Sequence, residues 1–346
     1  MRVGACGASS CSDGHWNLTS TGYRYEPVSC RLERKPKQLR RCLKGRHILF
    51  FGDSVQRYLY LSLAKFLVDG SFPSDGDPLC WENSYLQPTT QERQPDVNRS
   101  ASEYEDHWRA YFTETNRALG GHEVCDCFRE SCCTDERVLV ENRFTEVRGV
   151  QVSFVSQLSR PEWRPHGTVS PGSHRSMAKA IACDPGTCNR TNESGWAMDG
   201  RDFMRTALPL LGVTDVIINS GHHWSSILQP KHERYVEELF AAAAEGASHR
   251  AWYRTTTPRI RNDVLSRTTM QGHLLRAVKL VNGSWNDEGS DAARRNGLGV
   301  FDAFEAVMRL RRLGETHVRG AYLDGLHFTC SVNRELLLLM LSALCA

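Results

Sequence analysis

The run His47-Ile48-Leu49-Phe50-Phe51 is apolar at every position after the histidine, and Gly52-Asp53-Ser54 follows it at once. A strand with one wet face alternates apolar and polar residues, whereas a strand that is apolar throughout must be covered on both faces. Residues 55–68 then carry apolar side chains at Leu59, Leu63, Phe66 and Leu67, the spacing of a helix face. This strand–turn–helix unit calls for a sheet with helices on both sides. The same alternation returns from residue 150 onward. Residues 150–155, 215–219, 250–256 and 298–301 read as strands, and 198–211, 231–244, 271–281 and 332–344 read as helices. The expected fold is α/β: a three-layer, mostly parallel sheet flanked by helices. In such sheets, ligands bind beyond the carboxyl ends of the strands.

Two stretches break the pattern. Residues 1–45 are polar and rich in Cys, Gly and Trp, which predicts a loop-rich cap. Residues 70–145 hold several Pro, Gly and Cys and few long apolar patterns, which predicts an insertion or minor lobe within a catalytic body spanning 46–346. Cys125, Cys127, Cys132 and Cys133 crowd together in that insertion. Zinc is the rival to disulfides there, but Cys-x-Cys and Cys-Cys do not match the usual ligand spacing, so no metal is expected. The basic run Lys35–Arg46 has two readings, a solvated helix face or an anion-binding rim.

Thirteen cysteines are many for a reducing cytosol, and Asn17, Asn98, Asn189, Asn192 and Asn282 each begin an Asn-x-Ser/Thr acceptor. Together they favour an oxidising, glycosylating compartment, the secretory lumen or outside the cell, with an odd cysteine left for a free thiol or another chain. The first residues form no apolar signal, so a leader or membrane anchor is expected upstream of Met1. A net charge of +3 argues against nucleic acid as a partner.

The chemistry concentrates in three places. Ser54 stands where a buried strand gives way to a helix, and backbone N–H groups at a helix start favour negative charge. A serine hydroxyl needs a base. Asp324-Gly325-Leu326-His327 can supply it, with the carboxylate at imidazole Nδ1 and Nε2 free to take the serine proton. Asn219-Ser220-Gly221-His222-His223-Trp224 closes another apolar strand. Asn219 and Gly221 offer donors suited to an oxyanion, while His222 or Trp224 suits a sugar subsite.

These blocks resemble the SGNH/GDSL superfamily, and more closely its PC-esterase group. That group includes the plant trichome birefringence-like polysaccharide O-acetyltransferases and the animal sialate O-acetyltransferase. Cys11-Ser-Asp-Gly-His-Trp16 with Tyr25 and Cys30 is similar to the plant Cys, Gly, Trp segment. Gly52-Asp-Ser-Val-Gln-Arg57 resembles the Gly-Asp-Ser-x-x-Arg block, and Asn219–Trp224 resembles Asn-Thr-Gly-His-Trp-Trp. Tyr253-Arg-Thr-Thr-Thr-Pro258 resembles Phe-Arg-Thr-x-Ser-Pro, and Asp324–His327 resembles Asp-x-x-His. The resemblance implies an SGNH-hydrolase-like fold in which Ser54 is acylated, His327 is general base and acid, and Asp324 orients it. Arg57 would brace the elbow or bind substrate, and Asn219 would contribute to the oxyanion hole. It implies no bound cofactor, an acetyl donor such as acetyl-CoA, and a glycan acceptor. His223 stands where plant members have Trp, so the plant acceptor does not carry over. The expected activity is O-acetyl transfer to glycan hydroxyls. The alternatives are a carbohydrate acetyl-esterase with the same three residues, and a glycan-binding protein with a dead site.

Overall fold

The computed structural model describes residues 13–80, 101–129, 139–156, 162–163, 189–191, 195–219, 232–258, 285–323 and 326–346. A hairpin of β1 (Gly14–Thr19) and β2 (Gly22–Pro27) opens the chain, followed by α1 (Pro36–Leu43), β3 (His47–Gly52) and α2 (Ser54–Asp69). Then come α3 (Ala101–Ala118), β4 (Glu123–Arg129), β5 (Leu139–Val147) and β6 (Val150–Ser156). The short strands β7 (Glu162–Trp163), β8 (Asn189–Thr191) and β9 (Gly195–Asp199) make a small sheet of their own. Helical turns over Gly200–Asp202, Phe203–Ala207 and Leu208–Leu210 lead to β10 (Asp215–Ile218). The chain continues through α4 (His232–Gly246), β11 (Arg250–Arg254), α5 (Trp285–Arg295) and β12 (Gly299–Phe301). It ends with α6 (Ala303–Met308), α7 (Glu315–Gly320) and α8 (Cys330–Leu344).

The main sheet has seven strands in the order β12-β11-β10-β3-β6-β5-β4. The pairs from β12 to β6 are parallel, and β5 and β4 extend the sheet antiparallel. Side-chain alternation explains the layers. Ile48, Phe50, Val152, Phe154 and Ile217 face one core with α2 and α8, while Leu49, Phe51, Val155, Val216 and Ile218 face a second core with α4 and α5. The apolar run of β3 is thus buried on both sides, as its composition demands. The expected helix over 271–281 lies outside the described residues.

Two departures from the sequence reading stand out. The segment 70–145 is an insertion between α2 and β6, yet its strands are continuous with the main sheet rather than a separate lobe. Its inward face is ionic. Arg143 donates to Glu123 at 2.8 Å and to Glu141 at 2.6 Å, and Arg57 of α2 reaches Glu141 at 3.1 Å. Tyr60 and Thr115 complete this buried network through Glu123. Burial pushes the Glu141 carboxyl up, but Arg57 and Arg143 outweigh it and hold it below the usual carboxylate range. The N-terminal segment, expected as a loop-rich cap, holds a hairpin and a helix in its described residues. Trp16 Nε1 donates to the Ala306 carbonyl at 2.7 Å, and Arg34 grips the buried Glu335 of α8. Cys42 is bonded to Cys345 and Cys80 to Cys330, which ties α1 and the segment after α2 to the two ends of α8.

The basic run is settled by position. Arg40 donates to the Phe66 carbonyl at 3.2 Å and lies over the Phe66 ring, at the C-terminal end of α2. Phe66 is twelve residues from Ser54, about 18 Å along the helix. The run borders the opposite end of the sheet from Ser54 and is not a rim around it.

His47 opens β3 buried, with Nε2 2.7 Å from Ser153 Oγ and Nδ1 3.0 Å from the Leu211 carbonyl. Burial pulls its pKa below the ordinary imidazole value, with the Leu211 carbonyl opposing. The unfolded chain takes up a proton at about pH 6.5 while the folded chain resists it, so stability is retained above that pH and lost as pH falls through it. Thermal melts should therefore show the wild type losing more stability between about pH 7 and pH 5 than His47→Asn does. Parallel profiles would contradict the assignment.

Candidate active site

Chain order places the site. β6 lies on one side of β3 and β10 on the other, so β3 and β10 flank the point where the winding reverses. Ser54 follows β3, and Asn219 follows β10, at their carboxyl ends. Gly52 makes the turn possible by close approach: a Cβ there would lie 2.8 Å from the Asn219 carbonyl oxygen and 2.9 Å from Gln56 Cγ. Asp53 caps α2 by accepting from Val55 N at 3.0 Å, which presents Ser54 as the first helical residue.

Ser54 Oγ lies 2.6 Å from His327 Nε2, across 273 residues of sequence. His327 reaches this position from a narrow loop. Tyr322 and Phe328 form an antiparallel bridge, and Leu323 N donates to the His327 carbonyl at 2.8 Å. Behind the loop, Cys330 is bonded to Cys80, and Asp75 accepts from both Ser331 N and Ser331 Oγ at the start of α8. Tyr322 Oη donates to the Pro258 carbonyl at 2.9 Å, joining the loop to the end of β11. The imidazole is buried and meets the Tyr58 ring edge-on at 5.2 Å. Tyr58 stands one helical turn beyond Ser54, on the same face. Ser54 itself is half-buried.

The other expected site residues divide. Asp324, Gly221 and His222 lie outside the described residues. Asn219 is buried, and its amide nitrogen donates to the Arg254 carbonyl at 2.8 Å and to Thr256 Oγ1 at 3.3 Å. Its described bonds tie β10 to β11. Arg57 is buried, paired with Glu141, and stacked near the Tyr58, Trp108 and Tyr111 rings. Among the described residues no cluster of three or more His, Cys, Asp or Glu could hold a metal ion. Tyr58 and Gln56 were not singled out from the sequence. Their signal is spacing alone, four and two residues beyond Ser54.

A hydroxyl held on an imidazole nitrogen at a helix start can lose its proton to that ring as it attacks a carbonyl. All seven described cysteines are in disulfides, Cys125 with Cys127 among them. Among the described residues no helix is long and apolar enough to cross a membrane. Compared with protein-family models and with curated proteins, the chain matches none.

Gly52→Ala should push the Asn219 strand end and the first turn of α2 apart. Labelling of Ser54 by a fluorophosphonate should then slow by about 10- to 100-fold, the scale of an ångström misplacement. A labelling rate equal to the wild type would show that the turn has slack.

Proposed function

We propose that this protein is an O-acetyltransferase of SGNH type that moves acetyl groups to glycan hydroxyls through an acyl-Ser54 intermediate. The observation that carries this reading is the 2.6 Å contact between Ser54 Oγ and His327 Nε2 at the reversal point of the sheet. The glycan acceptor and the transfer reaction rest on the five sequence blocks that resemble the PC-esterase group, and the disulfides support a Golgi or extracellular setting.

In the proposed reaction, Ser54 Oγ attacks the acetyl carbonyl of a donor such as acetyl-CoA while His327 takes the serine proton. The bond from the carbonyl carbon to the donor sulfur breaks, and His327 returns the proton to the departing thiolate. A sugar hydroxyl, deprotonated by His327, then attacks acetyl-Ser54 and regenerates the serine. Asp324 would orient the imidazole throughout. Buried Tyr58, edge-on to that ring, limits its rotation and excludes water from one side. An esterase differs only in the molecule that accepts the acetyl group, so acceptor dependence separates the two.

Ser54→Ala should lose acetyl transfer and acetyl-ester hydrolysis together, by about 10³-fold or more. A variant with full activity would overturn the assignment. Product analysis with and without acceptor oligosaccharides tests the transferase reading. Acetylated sugar should appear at the expense of free acetate, and acetate released at the same rate in both cases would instead make the protein an esterase.

A further inference from the structure

We propose that Arg254, at the end of β11, is a positioning residue for Ser54, acting through Gln56 and Asp53 at the start of α2. This rests on the reading of Ser54 as the nucleophile.

Among the described residues three guanidinium groups are buried close to the sheet, and they are not alike. Arg57 and Arg143 each face carboxylates at ion-pair distance. Arg254 is equally buried and, among the described residues, is in no ion pair. Its Nε donates to Gln56 Oε1 at 3.1 Å, and its Nη1 has no hydrogen-bond partner among the described residues. Burial lowers its pKa to about 10, with Asp53 and Tyr253 the charged or titratable groups that oppose the fall. A buried cation without an ion pair weakens a fold, and a residue of that kind kept beside a reactive group marks a site where stability gives way to another demand.

The bonds around it show which demand. Gln56 is fully buried, and while it accepts from Arg254 it donates through Nε2 to the Ile217 carbonyl of β10 at 3.1 Å. Its side chain therefore clamps the first turn of α2 to two neighbouring strands. The backbone carbonyl of Arg254 accepts from the Asn219 side-chain amide, which ties the end of β10 to the end of β11. Gly52 is wedged between the Asn219 carbonyl and Gln56 Cγ. Arg254 is thus the outer anchor of a chain running from Arg254 through Gln56 to the backbone that carries Ser54. Its charge lies where the field of Asp53, the residue that caps α2, acts on it.

A purely structural arginine and a positioning arginine differ in what their loss does. Arg254→Met keeps the volume and removes the charge; Arg254→Lys keeps the charge and loses the planar donor set. The full chain is assayed for 4-nitrophenyl acetate hydrolysis, fluorophosphonate labelling and thermal melting, with Ser54→Ala alongside. Arg254→Met should keep or raise the melting temperature, lower kcat and the labelling rate by about 30-fold, and leave KM within about twofold, because the nucleophile is misplaced while substrate contacts remain. Arg254→Lys should recover part of the loss. Should Arg254→Met not fold, Gln56→Met carries the test, with the same selective fall in kcat. Arg254→Met or Gln56→Met folded with wild-type kcat and labelling overturns the inference, as does a lowered melting temperature with kcat intact. If Ser54→Ala keeps its activity, the fault lies with the nucleophile reading; if it is dead while Arg254→Met is unimpaired, the fault lies with this inference alone.

Discussion

The structure turns on one hydrogen bond between side chains from opposite ends of the chain. Ser54 and His327 meet at 2.6 Å, and each is held by a separate device. On the serine side, the buried strand β3 and the capped start of α2 fix the hydroxyl. On the histidine side, a bridged loop, the Cys80–Cys330 disulfide and the Asp75 cap fix the ring before α8 begins. Helix α8 packs in the same core as α2, so burial of its leucines and alignment of the pair are one event. The fold and the site are coupled through that helix.

Where a strand is buried by apolar residues, the sequence announces it. β3, β6, β10 and β11 were all legible, because runs such as Ile48–Phe51 and Val216–Ile218 admit few other readings. β4 and β5 were not. Their inward positions hold Glu123, Glu141, Arg143 and Thr145, and the charges of the first three are neutralised by each other and by Arg57. Pairwise neutralisation erases the hydrophobic period on which strand assignment depends. The β1–β2 hairpin alternates buried Trp16, Tyr23 and Tyr25 with exposed His15 and Arg24, but over too few positions to stand out from the polar residues around it.

The site was legible in proportion to how local its signals are. Gly52-Asp53-Ser54 and His327 stand out as short motifs, and the structure brings Ser54 and His327 together. The basic run was ambiguous because charge spacing does not say which end of a helix a segment will border; Arg40 on Phe66 answers that. Arg254 sat in a recognisable block without a role, since a buried cation looks the same in sequence as a solvated one. Only its surroundings, Gln56 on one side and no ion pair on the other, set it apart from Arg57 and Arg143.

The central claim is that Ser54 carries the transferred group, and the most direct measurement is peptide mass spectrometry after brief incubation with an acetyl donor and no acceptor. The account predicts acetyl on the peptide containing Ser54, lost when acceptor oligosaccharide is added. An active protein that carries no acetyl group on Ser54, or carries it on another residue, would contradict it.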